Sequence, residues 1–201
     1  MSFPNTDLYT IRRSPHTSAA FIREWMRSPR TMGMVCPSSA SLSQAMAASI
    51  SPEMNGLVVE LGAGTGTVTQ EILRTGISPH NLLIIEKAPA MIQVLHQRFP
   101  QLNIIQGDAS DLCQLLPRER RADYIISSLP LISLGKTVRE AIILAIHDAL
   151  REGGILVQYT YSWGSSNPSL MDKFQLIDSR RIWDNVPPAQ VFRFMRKPAA
   201  N

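Results

Sequence analysis

Six residues of this chain stand where their types and spacing can do chemistry: Glu60, Gly62, Gly64, Gly66, Glu86 and Asp108. The run Val58-Val59-Glu60-Leu61-Gly62-Ala63-Gly64-Thr65-Gly66-Thr67 reads as a short buried strand ending in an acid, a turn of alternating glycines, and the start of a helix that Thr67-Val68-Thr69-Gln70 opens as a capping box. Glycine has no Cβ, so the backbone can turn sharply there or lie against a ligand. A strand, a glycine turn and a helix N-terminus together make a nucleotide-binding corner. Glu86 closes a second apolar run, Leu82-Leu83-Ile84-Ile85, about 20 residues past Gly66, where a carboxylate can accept from both hydroxyls of a ribose. Asp108 follows a third run, Asn103-Ile104-Ile105-Gln106-Gly107. Three carboxylates at three successive strand ends, beside one glycine turn, predict a site for a ligand that carries a nucleoside.

These residues need strands and helices in alternation to position them. Strands are predicted near 57–61, 82–86, 103–106, 123–127 and 154–160, and helices near 67–75, 88–98, 110–116 and 136–150. In the last helix Val138, Ile142, Ala145, Ile146 and Ala149 recur at helical spacing, and Gly153-Gly154 is expected to stop it. Such alternation predicts a doubly wound α/β fold, with a mostly parallel sheet covered by helices on both faces. Two further strands are predicted near 176–183 and 190–196, joined by Asn185-Val186-Pro187-Pro188; Phe192 and Phe194 alternate with Arg193 and Met195, as in a half-exposed strand.

Composition bounds the remaining possibilities. At 201 residues the chain is long enough for one domain with a substantial core, and 44% apolar content excludes wholesale disorder. Cys36 and Cys113 are far apart without metal-ligand spacing, which predicts two free thiols in a reducing cytoplasm and no metal site. There is no apolar run of about 18 residues and no signal-peptide core at the N-terminus, so no transmembrane helix is expected.

The glycine spacing separates two kinds of nucleotide site. A dinucleotide corner favours Gly-x-Gly-x-x-Gly, which cradles a pyrophosphate. Here the glycines alternate as Gly62-x-Gly64-x-Gly66 after Glu60. This resembles motif I of the class I methyltransferases that use S-adenosylmethionine (SAM) and release S-adenosylhomocysteine. The resemblance implies a seven-stranded, Rossmann-like sheet whose last strand is antiparallel. It also implies that the backbone from Gly62 through Ala63 and Gly64 to Gly66 passes the methionyl part, that Glu86 holds the ribose, that Asp108 faces the adenine amine, and that the Ala109 backbone sits near the ring nitrogen. Glu60, Lys87 and Ser127 complete the implied cofactor set.

Chemistry is expected at the end of the fourth strand, because ligands of doubly wound sheets bind outside the carboxyl ends of the strands. The chain reads Ile125-Ile126-Ser127-Ser128-Leu129-Pro130-Leu131 there. Enzymes that methylate amino groups of planar bases or amides often carry Asn-Pro-Pro-Tyr or Asn-Leu-Pro-Tyr at this position. This chain keeps Leu-Pro but has Ser128 for Asn and Leu131 for Tyr, so the aromatic that would stack on a base is missing.

Upstream, residues 17–30 can form a helix ended by Pro29. Phe21, Ile22, Trp25 and Met26 make an apolar stripe beside Arg23, Arg27 and Arg30, and residues 1–30 hold five Arg and two acids, +3 of the formal +4. Two readings fit this pattern: an interfacial helix on an anionic membrane, or an amphipathic helix packed on its own core. Phe21-Ile22-Arg23-Glu24-Trp25-Met26-Arg27-Ser28-Pro29 and Met32-Gly33-Met34-Val35-Cys36-Pro37-Ser38-Ser39, with Ser127-Ser128-Leu129-Pro130-Leu131 and Val157-Gln158-Tyr159-Thr160-Tyr161-Ser162, resemble bacterial phosphatidylethanolamine N-methyltransferases. That family usually has glycine where Ser162 stands. The resemblance implies residues 1–50 as a helical substrate- and membrane-contact segment and 51–201 as the SAM-binding core. It implies a phospholipid substrate and a peripheral place on the inner face of the cell membrane, with anionic lipid as partner.

Methyl transfer to an amine is an in-line displacement, so the enzyme chiefly aligns the reacting groups. Ser127, Ser128, Leu129 and Tyr161 are the expected catalytic group. The amine's proton goes to water or to a hydroxyl or carbonyl near Ser127–Leu129, because His16, His80, His96 and His147 are scattered and read as structural. Aromatic faces attract the cation that forms as methyl groups accumulate. Tyr159, Tyr161 and Trp163 can line that site, with Tyr161 first, or they can be ordinary aromatics under a loop. A ribosomal-RNA adenine dimethylase or a small-molecule methyltransferase is the alternative; a pI near 9.4 permits RNA, but no separate RNA-binding domain is visible and nucleic acid is not the expected partner.

Overall fold

The computed structural model describes residues 39–50, 53, 55–118, 120–161, 168–185 and 187–198. Their strands form one seven-stranded sheet: β1 Leu57–Leu61, β2 Leu82–Glu86, β3 Asn103–Gln106, β4 Ala122–Ser127, β5 Leu150–Thr160, β6 Phe174–Ile182 and β7 Ala189–Arg196. Across the sheet the order is β3-β2-β1-β4-β5-β7-β6. Neighbours from β3 to β5 pair in parallel, whereas β7 runs antiparallel to both β5 and β6. The fold is the expected doubly wound α/β sheet with a reversed seventh strand.

β1 and β2 are buried at every position. Strands covered by helices on both faces require such unbroken apolar runs. The helices are α1 Ala40–Ala47, α2 Thr67–Arg74, α3 Pro89–Arg98, α4 Leu112–Leu115, α5 Lys136–Ala149 and α6 Pro168–Lys173. One face of the sheet packs Val59, Leu61, Ile125 and Leu156 against Leu112, Ile142 and Ile146. In α5 the buried stripe is Ile142, Ile143, Ala145, Ile146 and Ala149; Val138, expected within it, is exposed on the first turn of the helix.

Several boundaries differ from expectation. α5 ends at Ala149 without help from Gly153-Gly154, and both glycines lie inside β5, which begins at Leu150. Gly153 there takes a positive φ of 67°, and the pairing of β4 with β5 shifts register between Ala122 and Tyr124. β6 starts two residues earlier than predicted, at Phe174, whose ring is buried near Phe194. The compact unit holding the sheet is Pro37–Asn201. α1 therefore belongs with the core, although residues 37–50 were expected with the N-terminal segment. Leu42, Met46 and Ala47 of α1 are buried, and the Ser39 Oγ caps it by accepting from the Leu42 amide at 3.2 Å.

One row of register positions aligns the carboxyl ends of the strands. Ile85 of β2 pairs with Leu61 of β1, Leu61 with Ser127 of β4, Ser127 with Gln158 of β5, and Gln158 with Phe192 of β7. Residues expected to bind and transfer are thereby brought to one edge of one sheet.

Candidate active site

The glycine turn follows β1 directly. Gly62, Gly64 and Gly66 have φ of 71°, 56° and 84°, the left-handed region that side chains with a Cβ avoid. A Cβ at Gly66 would stand 2.4 Å from the Phe99 ring, while one at Gly64 would meet nothing within 4 Å. The turn is thus packed from below at Gly66 and open at Gly64. Gly66 is also the N-cap of α2, with no side-chain cap. The expected capping box is absent: Thr67 already lies inside the helix, because glycine alone takes the left-handed cap that this turn needs, and the Gln70 amide donates to the Gly66 carbonyl.

Glu86 ties this turn to the end of β2. Its Oε2 accepts from the Gly64 amide at 2.9 Å and its Oε1 from the Ala88 amide at 2.8 Å. A carboxylate has about four lone-pair positions, so each oxygen keeps room for a ribose hydroxyl. Glu60, on β1, is wholly buried. Its Oε2 accepts from the Thr69 hydroxyl at 2.7 Å, and its Oε1 has no partner. Burial pushes the Glu60 carboxyl up to about 8; the Thr69 bond opposes this and the charge of Glu86 adds to it.

Asp108 is placed at the end of β3 but is already engaged. Its Oδ1 accepts from the Ser110 amide at 3.0 Å and the Ser110 hydroxyl at 2.9 Å, capping the short turn Ala109–Asp111. Its Oδ2 accepts from Lys87 Nζ at 2.7 Å. Chiefly through that Lys87 bond, the Asp108 carboxyl is held down at about 2. Lys87 and Asp108 therefore form one surface pair beside Ala109, whose side chain is buried.

At the end of β4, Ser127 is wholly buried and its Oγ accepts from the Leu129 amide at 3.4 Å. The Ser128 amide donates to the Leu61 carbonyl at 2.9 Å, and the Ser128 Oγ is buried without a partner. Leu131 is buried too, so no aromatic platform exists at that position. Tyr159 and Tyr161 are brought together with ring centroids 5.3 Å apart, edge to face; Tyr159 is buried and Tyr161 half-buried. Phe21, Arg23, Trp25, Arg27 and Trp163 lie outside the described residues, as do Cys36, His16 and Ser162. His147 meets Asp148 at 3.0 Å and the Phe174 ring edge-on at 5.7 Å.

Gln158, which the sequence reading quoted within a family block without giving it a role, stands at the same edge. It is 4% exposed, and its Nε2 donates to the Leu129 carbonyl at 3.0 Å and to the Tyr159 carbonyl at 2.8 Å. Two carbonyl acceptors fix the amide orientation and leave Oε1 buried without a partner. The signal was a lone amide within the apolar run Ile155-Leu156-Val157-Gln158-Tyr159, one strand from Ser127.

With this geometry in hand, known proteins give a consistent answer. The methyltransferase domain family matches residues 58–154. An ornithine lipid N-methyltransferase of Singulisphaera acidiphila is 27% identical over 186 residues, covering 86% of this chain and 92% of that one. A ribosomal RNA small subunit methyltransferase A of Chlorobium chlorochromatii is 39% identical over 51 residues, 25% of this chain and 18% of that one. Among solved structures, the N-methyltransferase NodS of Bradyrhizobium japonicum, in complex with S-adenosylhomocysteine, superposes with a TM-score of 0.62 at 16% identity, covering 79% of this chain and 86% of that one. The chain carries a class I SAM-dependent methyltransferase domain. The residues fit its cofactor: the turn is open at Gly64, Glu60 Oε1 is buried without a partner, and both Glu86 oxygens have lone pairs to spare. Bound SAM supplies an electrophilic methyl group on a sulfonium. Gly64, Glu60 and Glu86 are the residues that would hold it, beside the edge formed by the ends of β4 and β5.

Two predictions follow from this site. The native Glu60 carboxyl keeps its proton up to about 8, whereas in the unfolded chain it ionises near 4.5. Between those values the unfolded state binds fewer protons, so stability falls as pH rises. Urea unfolding of the ligand-free protein at about pH 5 and about pH 8 should show wild type losing roughly 2–4 kcal/mol more than Glu60→Gln; equal losses would contradict a raised Glu60. Gln158→Leu should lower kcat about tenfold or more through misplacement of the Leu129 carbonyl. S-adenosylhomocysteine affinity should stay within about threefold, a change below 1 kcal/mol. An unchanged kcat would remove Gln158 from the site.

Proposed function

We propose that this methyltransferase transfers methyl groups from SAM to the amine of a membrane-lipid headgroup, with phosphatidylethanolamine as the substrate and ornithine lipid as the alternative headgroup. The observation that carries the reading is the pair of buried, unpartnered acceptors at the β4–β5 edge, Ser128 Oγ and Gln158 Oε1. An amine needs acceptors to orient it for in-line attack, and orientation alone can supply several kcal/mol of the barrier. Likeness to an ornithine lipid N-methyltransferase along nearly its whole length supports an amine-bearing lipid. Leu131, where base-methylating enzymes carry a stacking aromatic, argues against a nucleobase.

The proposal assigns each residue a role. Gln158 and Ser127 hold the Ser128–Leu129 turn, so that the turn's carbonyl and hydroxyl meet the incoming amine. Tyr161 stands beside this edge as the aromatic for a methylated ammonium. The amine's proton leaves to water or to a polar atom of Ser127–Leu129. Phe21, Arg23, Trp25 and Arg27 serve as the interfacial stripe that keeps the enzyme at anionic lipid on the inner face of the membrane.

The test is to incubate the protein with methyl-labelled SAM and vesicles holding both phosphatidylethanolamine and ornithine lipid, then to separate the lipids. Label in methylated phosphatidylethanolamine is the expected result. Label confined to ornithine lipid would keep the reaction class and reassign the headgroup. No lipid label, from protein that binds S-adenosylhomocysteine, would overturn the proposal. In the same assay Trp25→Glu should transfer less label at unchanged cofactor affinity; equal vesicle binding by both proteins would remove the interfacial stripe.

A further inference from the structure

A cavity of about 550 Å³ lies between α1 and the carboxyl end of β6, apart from the glycine turn. Its walls include Gln44, Ala45 and Ala48 from α1 and its C-terminal end, and Arg180, Arg181 and Trp183 from β6 and the turn after it. Hydrogen bonds build this site. The Ser41 hydroxyl donates to Asp184, the Ser39 amide donates to the buried Asn185 side chain at 3.1 Å, and Asn185 donates in turn to the Pro187 carbonyl at 2.8 Å. α1 and the β6–β7 connection are therefore fixed to each other around the opening.

The chemistry of the lining is that of a bilayer interface. The Arg181 guanidinium stands over the Trp183 ring at 5.1 Å. Trp183, in the turn after β6, is 62% exposed. Tryptophan, with an apolar body and one N–H donor, settles at the boundary between headgroups and acyl chains. Arg180 and Arg181 outnumber the one carboxylate of the cavity, Asp184, which is occupied by Ser41. The excess of positive charge complements anionic headgroups, and the exposed indole suits the headgroup boundary of a bilayer better than a polar partner.

Position ties the cavity to the reaction. Arg181 pairs with Gln190, and Gln190 with Thr160 at the end of β5, so the three lie in one row at the carboxyl edge of the sheet. Strands are about 4.8 Å apart, which puts β6 about 14 Å from β4, three spacings away. A bilayer touching the β6 end thus presents headgroups beside the edge formed by Ser127 and Gln158.

We propose that the cavity and its Trp183 rim dock the enzyme on a bilayer containing anionic phospholipid, with Arg180 and Arg181 meeting headgroup phosphates. This rests on the lipid reading of the function, and it is tested without methyl transfer. Flotation with vesicles of phosphatidylcholine alone, and of phosphatidylcholine with phosphatidylglycerol in equal parts, gives the affinity. Each basic residue near such a surface contributes about fivefold. Arg180→Gln/Arg181→Gln should therefore bind the phosphatidylglycerol vesicles at least tenfold more weakly, with S-adenosylhomocysteine affinity retained. Equal vesicle binding by the double variant and wild type overturns the proposal. A second readout covers a double variant that fails to fold. Vesicles with brominated acyl chains should quench wild-type fluorescence more than that of Trp183→Phe; equal quenching overturns the proposal. So does Arg180-dependent binding of a single-stranded RNA oligonucleotide by protein that ignores the vesicles. If labelled SAM marks no lipid while vesicle binding still depends on these residues, the substrate reading falls and the docking surface stands.

Discussion

The Glu86 carboxylate is the interaction on which the site depends. One oxygen accepts from the Gly64 amide and the other from the Ala88 amide, so a single side chain joins the turn after β1 to the turn after β2. Both turns leave backbone N–H groups at the carboxyl edge of a parallel sheet, where no neighbouring strand can pair them. A carboxylate that accepts two of them fixes both loops and still has lone pairs for a ribose. Its opposite number is Glu60, a carboxyl buried one strand over with a single hydroxyl partner. The two acids have similar sequence contexts and different partners, and burial raises the proton affinity of Glu60.

The second half of the site is built by register. Leu61, Ser127 and Gln158 occupy one row across β1, β4 and β5, so the Gln158 amide reaches the carbonyl of Leu129 on the loop after the neighbouring strand. The turn that presents Ser128 is held at its amide by Leu61, at the next amide by Ser127 and at its carbonyl by Gln158. A methyl transfer that depends on alignment rather than on a strong base needs a turn tethered in this way. No histidine has to enter, and His147 is spent on packing against Phe174.

Much of this architecture was legible because the inner strands are buried on both faces. Val58–Leu61 and Leu82–Ile85 could not be read as anything but core, and the acid closing each run marked the ligand edge. The parts that escaped depend on backbone angles or distant partners. The capping box at Thr67 fits the residue types, yet the left-handed φ of Gly66 moves the cap back by one. Gly153-Gly154 looked like a helix stop and instead bends the start of a long strand. The pairing of Asp108 with Lys87 joins the ends of two strands, which sequence distance conceals. Gln158 was given no role in the sequence, because only register sets it beside Ser127.

The central claim is that the corner tied by Glu86 binds the cofactor, and a calorimetric titration of S-adenosylhomocysteine into wild type and Glu86→Ala tests it most directly. Loss of the carboxylate frees the Gly64 amide and removes the ribose acceptor together. The expected result is an affinity at least tenfold weaker, about 1.4 kcal/mol, in a variant that still unfolds cooperatively. Equal affinities in the two proteins would contradict the account.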